Sequence, residues 1–245
     1  MDHRYQLSIV IPCYNEVENL PELFKSLDPL PLKEKGLEII LVNNGSTDGS
    51  EEVFRKELAN RDPQVFRVVE VVKNLGYGFG ILSGLRAAKG NVLSVTHADR
   101  QTDPMDVLKA YDIYRSALGQ DGKPLLVKGY RKNRKATEAF FSWGMGVLSS
   151  LALGTRLTEI NAQPKLFSRA FFQQIDAAAP HDFSLDLYFL YHAKKQGRIL
   201  DFPVYFAPRV AGEAKGGSGS DWKTRKKLIK RIFRYIFELR RAVKS

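Results

Sequence analysis

Four short polar clusters interrupt the apolar runs of the first hundred residues, and they hold most of the groups able to bind or activate a ligand. They are Pro12-Cys-Tyr-Asn-Glu16, Asn43-Asn-Gly-Ser-Thr-Asp-Gly49, Asn74-Leu-Gly-Tyr-Gly-Phe-Gly80 and His97-Ala-Asp-Arg-Gln101. Between them they supply carboxylates, amides, one imidazole and glycines. Each cluster alone has the composition of an ordinary turn, and it is their joint placement that points to one ligand cleft. A second kind of chemistry lies in Lys123, Lys128, Arg131, Lys132, Arg134 and Lys135, which follow one another with no acid between Asp121 and Glu138. Guanidinium groups pair bidentately with phosphate oxygens, so Arg131 and Arg134 are the candidates for gripping a phosphate.

The elements that must position these groups are legible in the periodicity. Runs at residues 7–11, 37–42, 65–72 and 91–96 are dense in Val, Ile and Leu and predict strands buried on both faces. Between them, residues 18–27, 50–60 and 80–89 repeat apolar positions at helical spacing, with Ser46-Thr47-Asp48 as cap chemistry before the second helix. Alternating strands and helices predict an α/β fold with a doubly wound, mostly parallel sheet and ligands beyond the carboxyl ends of its strands. The rhythm then loosens: helix at 104–118, strand at 125–128, helix at 136–153, strand at 161–167, helix at 184–195 and strand at 198–206. Residues 211–221 read as a Gly-rich flexible linker or lid, residues 222–245 as a basic amphipathic helix, and residues 1–210 as one catalytic domain.

Composition bounds the possibilities. The 245 residues are 44% hydrophobic and 27% charged, enough for one sizeable core. The formal net charge of +11 is unevenly placed, because residues 222–245 hold ten Lys/Arg and one acid, Glu238, leaving the remaining 221 residues at +2. That excludes a surface that is basic all over. One cysteine, Cys13, excludes an internal disulfide and a cysteine zinc cluster and fits a reducing, cytoplasmic compartment. The start of the chain has no export signal. The longest charge-free stretch, residues 139–155, is broken by glycines and falls short of the roughly 20 apolar residues a spanning helix needs.

On these motifs the sequence resembles the family 2 glycosyltransferases of the GT-A fold, and within them the polyprenyl-phosphate transferases typified by dolichyl-phosphate mannose synthase. The resemblance is carried by Ile9-Val-Ile-Pro-Cys-Tyr-Asn-Glu16, Asn43 to Gly49, Asn74-x-Gly76 with Gly78 and Gly84, and Ala98-Asp-x-Gln101 followed by Pro104. Looser landmarks follow at Gly129-Tyr-Arg131, Gln163-Pro-Lys-Leu-Phe167, Phe183-Ser-Leu-Asp186, Pro203-Val204 and Arg209-x-x-Gly212-x-x-Lys215. The resemblance implies a nucleotide-diphosphate sugar as donor, held by Pro12, Tyr14, Asn15, Glu16, Asn44, Asp48, Asn74, Gly76, His97 and Ala98. It also implies Mg²⁺ or Mn²⁺ on Asp99 and Gln101, because a departing diphosphate is stabilised by a hard cation with oxygen ligands. Arg209 and Lys215 match a family segment that closes over phosphates. Two positions depart from the family: His97 stands where the first Asp of its Asp-x-Asp is expected, and Asn43-Asn44 where an acidic pair opens the second loop. An imidazole brings no negative charge, so the cation should be held less tightly than by paired carboxylates. Asp48 has a competing role as a helix cap.

The acceptor side rests on charge and aromatics. The basic run precedes a stretch with Phe140, Phe141, Trp143 and Met145, the pattern of a phosphate headgroup on a lipid beside a helix touching a bilayer. The resemblance makes that lipid a polyprenyl phosphate, the expected acceptor, with the membrane surface as partner of residues 222–245 and peripheral attachment at the cytoplasmic face. Apolar positions Leu228, Ile232, Tyr235, Ile236, Leu239 and Val243 of that segment would lie in the membrane plane, or dock on the body or a second subunit. A phosphate monoester is already anionic at neutral pH and needs no general base. In the inverting, in-line displacement that the resemblance implies, Asp186 is then a positioning group. Under the alternative, transfer to a saccharide or protein hydroxyl, it is the base. A third reading, a non-catalytic domain with a nucleic-acid- or partner-binding tail, is disfavoured because the tail offers few aromatic platforms for bases.

Overall fold

Residues 7, 9 and 11 of the first apolar run point to one side of a sheet and Val10 to the other, and both sides are fully buried. That two-sided burial is what the uninterrupted aliphatic composition demands. In the computed structural model, which describes residues 5–118, 122–133, 136–208, 226, 230–231 and 233–240, the strands are β1 (Tyr5–Cys13), β2 (Leu37–Asn44), β3 (Phe66–Val71), β4 (Gly90–Val95), β5 (Leu125–Lys132), β6 (Lys165–Ser168) and β7 (Arg198–Tyr205). The helices are α1 (Leu20–Leu27), α2 (Ser50–Leu58), α3 (Tyr77–Ala87), α4 (Met105–Ala117), α5 (Ala136–Leu153), α6 (Arg169–Ile175) and α7 (Leu185–Gln196).

The seven strands form one sheet in the order β3-β2-β1-β4-β6-β5-β7. All pairings are parallel except those of β6, which runs antiparallel to β4 and β5. Side chains of α1, α2 and α4 fill the core on one face, and those of α3, α6 and α7 fill it on the other. The chain winds outward from β1 in one direction and from β4 in the other, so the crevice for a ligand opens between the carboxyl ends of those two strands.

The structure revises several expectations. The run at 65–72 is not buried on both faces: β3 is an edge strand, half-exposed along most of its length, because nothing pairs with its outer side. Residues 161–164 are not strand, since Gln163-Pro164 is a cis peptide and β6 begins at Lys165. α3 starts at Tyr77 rather than residue 80, and the short α6, capped by Ser168 accepting from the Phe171 N–H at 3.0 Å, was not anticipated. Lys128 is not part of a basic surface: it is 1% exposed, with its ammonium 2.9 Å from Asp201.

The basic C-terminal segment is helical over residues 233–240, and Ile236 and Leu239 are buried in the core cluster that also holds the side chains of α3, α6 and α7. Arg231 pairs with Asp182 at 2.8 Å. Burying two aliphatic side chains contributes on the order of 4 kcal/mol, which explains why this stretch turns its apolar side to the body rather than outward. Leu228, Ile232 and Val243, the linker at 211–221 with Lys215, and Arg209 and Arg134 lie outside the described residues.

Candidate active site

The loop after β1 is fastened to the loop after β2 by polar side chains from both. Asn15 donates its backbone N–H to the Ser46 hydroxyl at 3.0 Å, and its side-chain oxygen accepts from the Thr47 N–H at 2.7 Å. Asp48 uses both carboxylate oxygens in the same fastening. Its Oδ2 accepts from the Val17 N–H at 3.0 Å, and its Oδ1 accepts from the Ser50 N–H at 3.0 Å and hydroxyl at 2.6 Å. Burial would raise this acid, but those hydrogen bonds outweigh it and hold Asp48 below its ordinary value. The helix-cap position itself falls to Gly49, so Asp48 is a loop fastener rather than the cap.

The loop of the third cluster lies against the second. Asn44 donates from Nδ2 to the Gly76 carbonyl at 3.1 Å, and its amide packs so close to Gly80 that a Cβ there would come within 2.7 Å. Asn43 donates to Glu70 at 2.8 Å. Gly76 has φ +124°, and a Cβ on it would collide with the His181 carbonyl oxygen. The Phe79 N–H donates to that same carbonyl at 2.9 Å. Thus Pro12, Tyr14, Asn15, Glu16, Asn44, Asp48, Asn74 and Gly76 are brought to one edge of the sheet, with residues 180–182 as a brace behind them.

The fourth cluster completes this edge. Ala98 is buried, Asp99 and Gln101 are half-buried, and Asp99 Oδ1 accepts from the Gln101 N–H at 3.2 Å. Gln101 Nε2 donates to the Ala207 carbonyl at 3.3 Å, and the Ala207 N–H donates to the Gln101 carbonyl at 2.9 Å. The chain leading to residue 209 is thereby held beside Asp99. His97 stands 6.4 Å from the Tyr77 ring. Burial holds its imidazole below its ordinary value against the pull of Asp99 and Asp186, so it is uncharged at neutral pH. Among the described residues there is no group of three or more His, Cys, Asp or Glu able to cage a metal alone. One carboxylate and one amide suit an ion that takes its other ligands from a diphosphate, as Mg²⁺ and Mn²⁺ sites commonly do.

Beyond β4 lie residues that sequence reasoning did not assign. Val95 on β4 pairs with Lys165 on β6, which pairs with Lys128 on β5, so two buried lysines stand side by side. Each has its own acid: Lys165 is 2.6 Å from Asp186 Oδ1, and Lys128 is 2.9 Å from Asp201. Burial lowers both ammonium groups, Lys165 to about 8, with Asp186 opposing the shift. Arg131, the phosphate candidate at the end of β5, donates from Nε to Glu159 at 2.8 Å, and its guanidinium lies 5.4 Å from the Phe206 ring centre. On β5 it stands three residues beyond Lys128. Lys165 lay within the Gln163-Pro-Lys-Leu-Phe167 landmark and, as a charge heading an otherwise apolar run, could have been singled out there. On α5, Phe140 and Trp143 are 66% and 63% exposed with rings 5.9 Å apart, and Leu151 is 76% exposed.

Comparison with known proteins bears on the family and the fold. The profile of Glycosyl transferase family 2 matches residues 8–118. The chain is 28% identical over 176 residues to a dodecaprenyl-phosphate galacturonate synthase of Rhizobium johnstonii, covering 69% of this chain and 50% of that protein. It is 27% identical over 218 residues to an undecaprenyl-phosphate mannosyltransferase of Micrococcus luteus, covering 86% and 87%. Against several curated relatives it spans only about half their length, 50% and 59% for two of them. Among solved structures it resembles glucosyl-3-phosphoglycerate synthase from Mycobacterium tuberculosis, solved with Mn²⁺, UDP-glucose and phosphoglyceric acid (TM-score 0.69, 17% identity, 96% of this chain and 79% of that one). It also resembles a mannosyltransferase from Pyrobaculum calidifontis solved with GDP-Man and Mn²⁺ (TM-score 0.62, 19% identity, 86% and 59%). Motif, topology and relatives agree that residues 8–118 match Glycosyl transferase family 2 and that the chain has the GT-A fold.

Proposed function

We propose that this chain transfers a sugar from a nucleotide-diphosphate donor to a polyprenyl phosphate, with inversion, at the cytoplasmic face of a membrane to which it is peripherally bound. The observation that supports the acceptor is the order of elements, with Arg131 near the end of β5 followed by α5, which leaves Phe140 and Trp143 exposed. A cationic fork next to an apolar helix face suits a lipid that presents a phosphate at the bilayer surface. The two polyprenyl-phosphate relatives support the same substrate class.

On the donor side, the loops after β1, β2 and β4 bind the nucleotide, with Asn44 and Asn74 near the base and His97 offering a neutral imidazole to a ribose hydroxyl. Asp99 and Gln101 would hold Mg²⁺ or Mn²⁺, which when bound would supply charge stabilisation for a departing diphosphate. Arg209 and Lys215 close over that diphosphate from the segment that begins beside Gln101. Arg131 and Arg134 orient the acceptor phosphate for in-line attack. Because that phosphate is already anionic, no side chain has to take its proton. The basic residues of 222–245 strengthen attachment to anionic lipid, and their charge, rather than an inserted apolar face, supplies the attraction. No helix among the described residues is long and apolar enough to cross a membrane.

The test is nucleotide release from a panel of UDP- and GDP-sugars with Mg²⁺ or Mn²⁺, with and without undecaprenyl phosphate in vesicles. Release that depends on both the cation and the lipid phosphate is expected. Release that needs a saccharide hydroxyl instead of the lipid overturns the acceptor, and silence across the panel overturns the function.

A further inference from the structure

Asp186 sits in the first turn of α7, 3% exposed, and receives three donors from three other places in the chain. Lys165, at the start of β6, donates to Oδ1 at 2.6 Å, and Gln163, two residues earlier, donates to the same oxygen at 3.2 Å. Tyr77, the first residue of α3, donates its hydroxyl to Oδ2 at 3.2 Å. The Tyr77 ring is stacked on Phe183, 4.6 Å between centres and 6° from parallel. Burial, aided by the Asp186 charge, pushes the Tyr77 phenol well above its ordinary value, so it remains a donor at any physiological pH. Lys165 also donates to the Ala162 carbonyl at 2.9 Å, which fixes its ammonium from the other side.

We infer that Lys165, Gln163 and Tyr77 are positioning residues that act through Asp186, whose carboxylate is a fixed strut tying the nucleotide loop to the sheet edge and not a proton acceptor. The tie is direct, because Tyr77 follows Gly76, the residue whose carbonyl holds Asn44 and whose backbone rests on His181. A general base must turn a lone pair to the hydroxyl it deprotonates, yet Asp186 is 3% exposed, its Oδ1 already accepts two donors and its Oδ2 faces the Tyr77 hydroxyl. A proton arriving on Asp186 would also leave the Lys165 ammonium buried without its counterion, an arrangement that costs far more than the intact pair. The substrate-orienting part of this role rests on the sugar-transfer reading, whereas the mechanical tie does not.

Tyr77→Phe keeps the ring stack and removes only the hydroxyl, which makes it the cleanest probe. In hydrogen–deuterium exchange on the full chain at neutral pH, Tyr77→Phe and Asp186→Asn should each speed exchange at residues 76–80 and 181–186 at least about fivefold. The double variant should be no faster than the faster single one, because both cut the same tie. Unchanged exchange in Tyr77→Phe, or full additivity in the double, overturns the tie. In transfer assays with undecaprenyl phosphate, Asp186→Asn should raise the donor KM about tenfold, lower kcat severalfold and leave the acid limb of the pH–rate profile in place. A loss of a thousandfold or more in kcat together with disappearance of that limb would make Asp186 the base and overturn the assignment. If the wild-type chain transfers no sugar from any donor, the functional reading falls while the exchange experiment still decides the tie.

Discussion

The half of the molecule built from β1 to α4 and the half built from β5 to β7 position their polar groups by different means. In the first, the loops at the strand ends are knitted by short hydrogen bonds to backbone N–H groups, such as Asn15 to Thr47 and Asp48 to Val17 and Ser50. Asn15 is neutral and Asp48 is a half-buried carboxylate, so this fastening uses no fully buried charge. In the second, three acid–base pairs do the positioning: Lys165 with Asp186, Lys128 with Asp201 and Arg131 with Glu159, the first of them almost wholly buried. Backbone-directed hydrogen bonds fix a loop with little desolvation and leave it neutral. Buried pairs fix geometry only after both ions are stripped of water, and they fail badly when one partner is lost.

That contrast can be broken at its strongest points first. Asp99→Ala removes the one carboxylate assigned to the cation, and nucleotide release should fall about 10³-fold, roughly 4 kcal/mol of barrier, with the fold intact by circular dichroism. Next, Lys165→Met should cost about 3 kcal/mol in urea-induced unfolding, because it strands Asp186, and Lys165→Met with Asp186→Leu should regain most of it. The sign with pH distinguishes this from a packing defect. Folded Lys165 releases its proton near 8, whereas the unfolded chain holds it to about 10.5, so between these values the unfolded state binds more protons and stability rises with pH. Wild type should therefore gain up to about 1.4 kcal/mol per pH unit in that window over Lys165→Met.

Smaller effects sharpen the acceptor half. Arg131→Lys keeps a charge for Glu159 and loses the planar fork, so the KM for undecaprenyl phosphate should rise about tenfold while the KM for the donor stays within a factor of about two. A donor KM that moved instead would assign Arg131 to the nucleotide. Phe140→Ser with Trp143→Ser should weaken binding to anionic vesicles about fivefold, near 1 kcal/mol, in flotation assays and leave stability unchanged, since both rings are exposed. Equal vesicle binding would remove α5 from the membrane contact.

The same contrast explains what could be read from the residues in order. The strands β1, β2 and β4 and the loops after them were legible because aliphatic runs and Gly/Asn/Asp clusters are local signals, and the loops' partners are each other. Edge position was not legible, which is why β3 read as buried: its composition matches its neighbours, and only the sheet order exposes it. β6 was misplaced because Gln163-Pro164 ends the preceding loop just where the apolar run begins. The partners of Asp186 and Arg131 were invisible for a different reason. Tyr77 is 109 residues away from Asp186, and Glu159 is 28 residues from Arg131, so no spacing rule connects them. The C-terminal segment showed its amphipathic pattern plainly, but a pattern names a face and not what covers it; Ile236 and Leu239 cover the core.

The close approach of the His181 carbonyl to Gly76 bears on how this scaffold can be re-engineered. The turn that carries Gly76 and the turn that carries His181 share a boundary with no slack for even one methyl group. A segment imported from a relative in place of residues 74–80 would arrive without its matching backing and be pushed out of register. Loop grafting here therefore calls for a two-piece transplant, residues 74–80 together with 180–183, moved as a single part.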